Sequence, residues 1–371
     1  MDRGIRGDKN TNKTAALIVT AGMSSRMGRF KPLLPLGEYT IIGHVVHSFE
    51  EAGIEEIVIV VGNGAEDIES YLMGREIHFI KNQDYQTTTM FDSAKLGIQY
   101  LQDRCNQFFF TPGDIPLFRP FSLIEMKKAI EDRGGKLVQP MYRGKHGHPV
   151  LFSADCIPWI LNHSGRDGLR GAMEGLMGDR IECSVPDMGI LMDVDTPQDY
   201  ERIKEYLSNM GIPDSEQCFE LLKFYGTDPW VIQHSIAVSE LAVELTERIQ
   251  AAGHSLDKKL VQAGALLHDI ARHRRNHIGL GAEWLRNMGY SKVASIVEEH
   301  MDISVDAVEA LDERAIVYLA DKLIIEDRRV TLEERFLRSY EEFKDQPEVL
   351  DAVNARMNKA RIILEGIEPL L

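Results

Sequence analysis

Cysteine is scarce. Four occur in 371 residues, at Cys105, Cys156, Cys183 and Cys218, and none belongs to a CxxC pair. That spacing excludes a disulfide scaffold and a cysteine zinc site, and it suits a reducing compartment. We therefore expect a cytoplasmic protein. Long apolar runs are also missing; none approaches the ~20 residues that span a bilayer. The opening segment, residues 1–14, is polar and charged and lacks the apolar core of a secretion signal. It reads as a disordered tail. Positive charge is in deficit, with 42 Lys and Arg against 58 Asp and Glu, a net charge of −16. Such a chain is no partner for nucleic acid or for an anionic membrane, both of which call for basic patches. A local cationic pocket for a phosphorylated ligand remains compatible with it. Neither GxxxxGK[ST] nor GxGxxG is present, which removes two common nucleotide-binding loops. There is no internal repeat and no low-complexity tract.

What is present begins at Leu17. The stretch Leu17 to Leu36 reads LIVTAGMSSRMGRFKPLLPL. An apolar run stops at Ala21-Gly22 and gives way to a donor-rich loop with Ser24, Ser25 and Arg26. Lys31 follows, ahead of Pro32, which restricts its backbone. Gly22 and Gly28 allow close approach of backbone to phosphate, and successive loop N–H groups can form an anion nest. Arg26 can bind phosphate bidentately and Lys31 as a point charge. The plainer reading is a strand followed by a solvated loop.

This segment resembles the signature of the MobA-like nucleotidyltransferases, LxAGxSxRMGxxKxLLPxxG, with Thr20 where alanine is usual. Its Ala-Gly-x-Ser form is closer to the molybdenum cofactor cytidylyltransferase branch than to the guanylyltransferases. The resemblance implies a nucleoside triphosphate substrate, CTP favoured, held by Ala21, Gly22, Ser24, Ser25, Arg26 and Lys31.

From Ala15 to about Asn209, apolar runs such as Ile57 to Val61 and Phe108 to Phe110 alternate with helical patterns at Ile41–Glu51, Ala65–Leu72, Phe91–Leu101 and Phe121–Asp132. This alternation predicts an α/β doubly wound, mostly parallel sheet covered on both faces. Ligands in such sheets sit beyond the carboxyl ends of strands. The loop Thr111-Pro112-Gly113-Asp114-Ile115-Pro116-Leu117 lies at one such end. Asp114 reads either as a turn residue or as a Mg²⁺ ligand, and the segment is similar to the family's GDxPL motif. Met192-Asp193-Val194-Asp195-Thr196-Pro197-Gln198-Asp199 resembles the segment that closes these domains. One of Asp193 and Asp195 is expected to supply the second carboxylate, and its place in the motif favours Asp195. Thr196 and Pro197 also read as a helix start.

Further pieces resemble the same branch. They are Gly147-His148-Pro149-Val150, the loop Gly165 to Gly171 with Arg170, and the stretch Asn82 to Ser93. The resemblance places His148 and Arg170 near the acceptor, and Asn82 and Ser93 near the nucleotide; His148 reads equally as a turn histidine. Thr89 stands where relatives carry glycine. The implied chemistry is transfer of CMP to a molybdopterin-type acceptor, with Arg26, Lys31, Asp114 and Asp195 as the catalytic set and Mg²⁺ as cofactor. A molybdoenzyme that receives the cofactor is an implied partner.

Around Asn209 the pattern changes. Residues 209–217 have linker composition, so we expect domains at 15–208 and 218–371. The second half reads as all helix, with segments at Trp230–Ala251, Asp257–Arg272, Leu280–Met288, Lys292–Met301, Asp312–Ile325 and Pro347–Gly366. It carries His234, His254, His268, His273, His277 and His300. His268-Asp269 lies in an apolar helical context, where an ionised aspartate needs a compensating cation. The order His234, His268-Asp269, His277, His300, Asp321 resembles the HD-domain metal phosphohydrolases. That resemblance implies one ion on His234, His268, Asp269 and Asp321, and a second on His277 and His300 with Asp269 bridging. Imidazole with carboxylate suits Fe, Mn, Co, Ni or Zn. Asp269 is the catalytic candidate, with Arg272 and Lys322 as phosphate ligands. His254 and His273 read as surface residues. A rival reading keeps the nucleotidyltransferase but gives it a sugar-phosphate or alcohol-phosphate acceptor. In that reading the HD half is a regulatory nucleotide-binding module.

Overall fold

The computed structural model describes residues 13–21 and 29–370, and the chain divides into two compact units, Met1–Ser208 and Asn209–Leu371. In the first unit the strands of the main sheet are β1 (Thr14–Thr20), β2 (Glu56–Val61), β3 (Ile77–Lys81), β4 (Gln107–Pro112), β5 (Leu137–Tyr142), β6 (Lys145–His146), β7 (Val150–Ser153) and β8 (Arg180–Ser184), beside a small hairpin of Pro35–Leu36 with Tyr39–Thr40. They form one sheet in the order β8-β5-β7-β4-β1-β2-β3, with β6 paired to β5. The pairs β1–β2, β1–β4, β2–β3 and β5–β8 are parallel. Strand β7 runs antiparallel between β4 and β5, so the sheet is mixed on this side.

Every residue of β1 is buried, which is why its sequence is an unbroken apolar run. Alternate residues feed opposite cores. Ala16 and Ile18 pack on one face with Val45, Phe49, Leu123 and Met126. Leu17 and Val19 pack on the other with Ala94, Ile98, Ile157 and Ile160. The helices of this unit up to the last strand are α1 (Ile41–Glu51), α2 (Ala65–Tyr71), α3 (Met90–Leu101), α4 (Pro120–Arg133), α5 (Ile157–Asn162) and α6 (Gly168–Glu174), of which α1, α3, α4 and α5 supply those residues. Helix α3 lies so close to the sheet that a Cβ on Gly97 would stand 2.2 Å from Leu17 Cδ1. Helix α7 (Pro197–Asn209) closes the unit. Thr196 N and Oγ1 donate to Asp199 Oδ2 at 2.9 and 2.7 Å, and Asp199 N donates back to Thr196 Oγ1.

The second unit is helical apart from a two-stranded hairpin, Ile324–Ile325 with Arg328–Arg329. Its helices are α8 (Ser215–Phe224), α9 (Pro229–Ala251), α10 (Lys258–Leu267), α11 (His277–Asn287), α12 (Ser291–Glu299), α13 (Val305–Ala310), α14 (Glu313–Lys322), α15 (Leu332–Glu342) and α16 (Pro347–Ile367). Their core joins Val238, Leu245, Val261, Ala265, Val317, Leu319 and Ile363. The linker expected at 209–217 is shorter than the sequence suggested. Asp214 caps α8 by accepting from Gln217 N, and Gln217 accepts in return from Asp214 N, so the helix starts at Ser215. The helix expected at Asp257–Arg272 is also shorter. It ends at Leu267, and turns carry the chain through His268 and Asp269.

Candidate active sites

Register assembles the first site. Val19 on β1 stands opposite Pro112 on β4, and Gly113 N donates to Val19 O at 2.9 Å. The loops leaving these two strands therefore start side by side. Gly22, Ser24, Ser25 and Arg26 lie outside the described residues. Beyond them Lys31 opens a single 3₁₀ turn, and its Nζ lies 2.8 Å from Asp114 Oδ2 and 3.1 Å from Asp195 Oδ1. Val194 N donates to Asp114 O at 3.0 Å, which ties the 193–195 segment to the loop after β4. Burial works against the Lys31 charge, but Asp114 and Asp195 hold its pKa above the ordinary lysine value. Burial, with Asp195 and Asp114 as neighbours, raises the Asp193 carboxyl above its usual range. Two carboxylates meet one ammonium here, and a third, Asp193, is close enough to both for their charges to raise its pKa. That surplus of negative charge is what a Mg²⁺ site with substrate phosphates requires.

A cavity of about 180 Å³ opens beside Lys31, lined by Ala21, Ser93, Thr89, Met90 and Asp114. Asn82 is buried and its bonds are internal. Its amide donates to Thr88 Oγ1 and Ser93 Oγ, both at 2.9 Å, and its carbonyl accepts from Asp84 N. It shapes the loop and places Ser93, which faces the cavity. Thr89 and Met90 also line a second cavity of about 840 Å³, with His148, Arg170, Gln139 and Arg180 on other walls. Thr89 has a local reason to be there. It caps α3 through a reciprocal pair, Thr89 N to Asp92 Oδ2 at 2.8 Å and Asp92 N to Thr89 Oγ1 at 3.2 Å.

His148 is placed by a tight crossing. Its N–H donates to Ile190 O at 2.9 Å, and a Cβ on the preceding Gly147 would stand 2.4 Å from that same oxygen. Only glycine fits at this crossing. Burial depresses the His148 pKa, so the ring is neutral, and its Nδ1 has no hydrogen-bond partner. Arg170 is exposed on the cavity rim, 3.9 Å from Glu174. Gln139 and Arg180 were not foreseen. They lie on neighbouring strands without a motif, and Arg180 Nη1 donates to Gln139 Oε1 at 3.4 Å.

The second site gathers residues from several helices. His234 comes from the second turn of α9, His268 and Asp269 follow α10, His277 opens α11, His300 follows α12 and Asp321 lies near the end of α14. Asp321 Oδ1 is 3.1 Å from His234 Nε2 and 3.7 Å from His268 Nε2. Asp269 Oδ1 is 3.3 Å from His300 Nε2 and 3.7 Å from His277 Nε2. His268 Nε2, His277 Nε2, His300 Nε2 and Asp269 Oδ1 are all buried without a hydrogen-bond partner.

The tautomers follow from the opposite ring nitrogens. Nδ1 of His234, His268 and His300 meets the backbone carbonyls of Glu326, Ala265 and Val297 at 2.7, 2.7 and 2.6 Å. A carbonyl only accepts, so each Nδ1 carries the hydrogen; Nε2 of His268 and of His300 is left without a partner, whereas His234 Nε2 meets Asp321 Oδ1, which raises that ring's pKa. Burial pushes the His268 pKa down to about 4 despite Asp269 and Asp321 nearby. Burial favours the neutral form of Asp269, yet His268, His300 and Arg272 hold it well below the usual carboxylate range. A neutral His268, an ionised Asp269 and unpartnered ligand atoms turned inward suit divalent metal. The sets His234–His268–Asp269 and Asp269–His277–His300 each bring their ligand atoms within 4.8 Å of one another.

One expectation needs correction. Lys322 was expected to bind phosphate, but it is buried, with Nζ 2.6 Å from Asp321 Oδ2 and 2.8 Å from His300 O. Its ammonium is engaged by the Asp321 carboxylate and by the backbone carbonyl of His300. Arg272 keeps an accessible guanidinium, 3.5 Å from Asp269 Oδ1. Arg335 and Trp230 share its cavity and were not foreseen. Trp230 had a legible signal, because it precedes His234 by four residues on one helix. His254 and His273 are exposed, away from the cluster.

Residues 16–181 match the MobA-like NTP transferase domain and residues 231–325 the HD domain. A molybdenum cofactor cytidylyltransferase of Escherichia coli is 30% identical over 191 residues, covering 51% of this chain and 94% of that protein. The chain belongs to the MobA-like NTP transferase family, with an HD domain in the same polypeptide, and is a nucleotidyltransferase. A tRNA (cytidine(56)-2'-O)-methyltransferase of Thermoplasma volcanium is 36% identical over 155 residues, covering 36% of this chain and 44% of that protein. Among solved structures, a nucleotidyl transferase from Methanothermobacter superposes with a TM-score of 0.46 at 23% identity, covering 54% of this chain and 99% of that one.

Proposed function

We propose that the N-terminal unit transfers CMP from CTP to the phosphate of a molybdopterin-type acceptor. The observation that carries the reading is the convergence of Lys31, Asp114 and Asp195 beside two adjoining cavities. In the reaction an acceptor phosphate oxygen attacks the α-phosphorus, the bond to the β-phosphate breaks and pyrophosphate leaves. Asp114 and Asp195 would hold Mg²⁺, which when bound neutralises charge on the triphosphate. Lys31 offsets charge at the α-phosphate, Ser93 and Ala21 line the nucleotide side, and Arg26 with its loop takes the outer phosphates. His148 and Arg170 face the larger cavity, where the acceptor sits. Positioning and charge complementarity supply the rate enhancement.

The C-terminal unit we assign as a metal-dependent phosphohydrolase. His234, His268, Asp269 and Asp321 would hold one ion, and Asp269, His277 and His300 a second, from Fe, Mn, Co, Ni or Zn. Such ions supply Lewis acidity toward a phosphate ester and acidify water. Arg272 binds the phosphate, and the buried Lys322 fixes Asp321. Both activities suit the cytoplasm, with a molybdoenzyme downstream.

Thr89, in the wall common to both cavities, favours a second reading in which the acceptor is another sugar or alcohol phosphate and the HD half is regulatory. Pyrophosphate release with CTP against GTP, with and without molybdopterin, decides the first question. Preference for GTP, or turnover with a sugar phosphate alone, overturns the assignment. Phosphate release from esters by the manganese-loaded chain decides the second. Nucleotide binding without turnover identifies a sensor.

A further inference from the structure

We propose that Gln139 and Arg180 set acceptor specificity, by reading the uncharged edge of a planar heterocycle at the end of the acceptor remote from its phosphate. This rests on the transferase reading of the first unit and names two residues to which that reading gives no part.

Strand alternation puts them together. Val138 on β5 and Ile181 and Cys183 on β8 enter one core, so Gln139, Arg180 and Glu182 lie on the opposite face of the sheet. Register pairs Gln139 with Glu182 directly, and Met141 with His146 on β6. Leu137 shares the face of Gln139 and is buried in the second core. Beyond it the apolar cover ends, and Gln139, Arg180 and His146 line the large cavity. A chain of hydrogen bonds crosses this wall. Glu182 Oε1 accepts from Arg180 Nη2 and from His146 Nε2, both at 2.9 Å, and Arg180 Nη1 donates to Gln139 Oε1 at 3.4 Å. The last contact orients the Gln139 amide and leaves its nitrogen as a donor.

Charge narrows the ligand. The Arg180 guanidinium is met by Glu182, and Arg170 on the rim lies 3.9 Å from Glu174. A second phosphate at this wall would compete with both carboxylates. A neutral ring edge bearing a carbonyl and ring nitrogens does not, because it accepts from the Gln139 amide and from Arg180 N–H groups that Glu182 leaves over. Amide and guanidinium groups discriminate base edges in nucleic acids by the same means. Met90 and Met177, 56% and 50% exposed, line the cavity with thioethers suited to the faces of a ring.

The test uses the full chain with Mg²⁺, molybdopterin as the probe of transfer, and pterin, the bare ring, as the probe of binding. Gln139→Leu and Arg180→Met are each expected to lower kcat/KM for molybdopterin about tenfold, through KM, with the KM for CTP unchanged. Arg180→Lys keeps the charge but loses the fork, and is expected to resemble Arg180→Met. Anisotropy of pterin fluorescence, read without CTP, is expected to show binding by the parent and about tenfold weaker binding by each variant. Equal pterin affinity in parent and variants overturns the proposal, as does a parent that binds no pterin. A rise in the KM for CTP as large as that for molybdopterin also overturns it, since it marks a merely structural role. A parent that binds pterin through both residues but transfers nothing to molybdopterin overturns the transferase assignment and leaves the proposal standing.

Discussion

Lys31 and Asp195 are 164 positions apart in sequence, and their side chains meet at 3.1 Å. The ammonium also binds Asp114, so one lysine joins the loops after β1 and β4 to the segment before α7. Lys31→Met removes the cation that Asp114 and Asp195 share. We expect nucleotidyl transfer to fall by roughly 10²–10³-fold, the usual loss when a charge-stabilising group is removed. Pyrophosphate release at saturating Mg²⁺ measures it, and a loss of only a few-fold contradicts the assigned role.

Asp269 faces four partners, His268, Arg272, His277 and His300. Asp269→Ala is expected to lower phosphohydrolase turnover by more than ~100-fold and to deplete bound metal. Elemental analysis beside a phosphate-release assay reads both. Nucleotidyl transfer serves as the internal control. In the unsubstituted chain, Mn²⁺ at a hundredfold excess over its Kd is expected to stabilise the C-terminal unit by about 2.7 kcal/mol, and a chelator reverses this. Unfolding midpoints that ignore both ion and chelator reject the metal site.

Thr89 caps α3 through its reciprocal pair with Asp92. Thr89→Ala is expected to cost ~1 kcal/mol of stability and Thr89→Gly only a few tenths. Denaturant midpoints compare the two. Thr89→Gly also opens the wall between the cavities, so kcat/KM across a panel of phosphorylated acceptors is expected to shift. An unchanged preference order argues against a part for Thr89 in acceptor choice.

Gly97 lets α3 approach β1. A Cβ there meets Leu17 Cδ1 at 2.2 Å and Val60 Cγ2 at 3.0 Å, all within a packed core. Gly97→Ala is expected to destabilise the first unit by about 1–3 kcal/mol. Urea unfolding followed by circular dichroism tests this, and a neutral result means the core yields more easily than its packing suggests.

His44 is partly buried, with Nε2 2.6 Å from Leu36 O. Burial dominates and lowers its pKa below the ordinary histidine value. The unfolded chain therefore binds the proton more readily, so this group's contribution to stability falls as pH drops through ~6.5. His44→Gln is expected to lose less stability than the parent between neutral pH and pH ~5.5, as read from paired unfolding curves. Parallel pH profiles contradict the sign.

Legibility followed the range over which each signal acts. Ile41–Glu51 reads as a helix because its apolar spacing is local, and the structure has those limits. β1 reads as a buried strand because both of its faces are covered. The antiparallel insertion of β7 between β4 and β5 depends on pairing partners distant in sequence and leaves no local trace. Asp257–Arg272 reads as one helix because its apolar spacing continues past Leu267, although turns take over there. The clustering of His234, His268, Asp269, His277, His300 and Asp321 is readable because histidines among apolar helical residues are conspicuous. Lys322 was misjudged because its type says cation, whereas only geometry shows that its charge is engaged by Asp321. Arg335 carries no motif and enters the site through the packing of α15.

The last turns of α10 and α12 leave carbonyls that no helical amide reaches, and two of these, on Ala265 and Val297, hold the rings of His268 and His300. A helix end is thus a jig for the imidazole that follows it. The cage is shaped by the same backbone groups that bring each helix to a stop. A change that shifts either helix end therefore turns an imidazole of the cage without touching any cage residue.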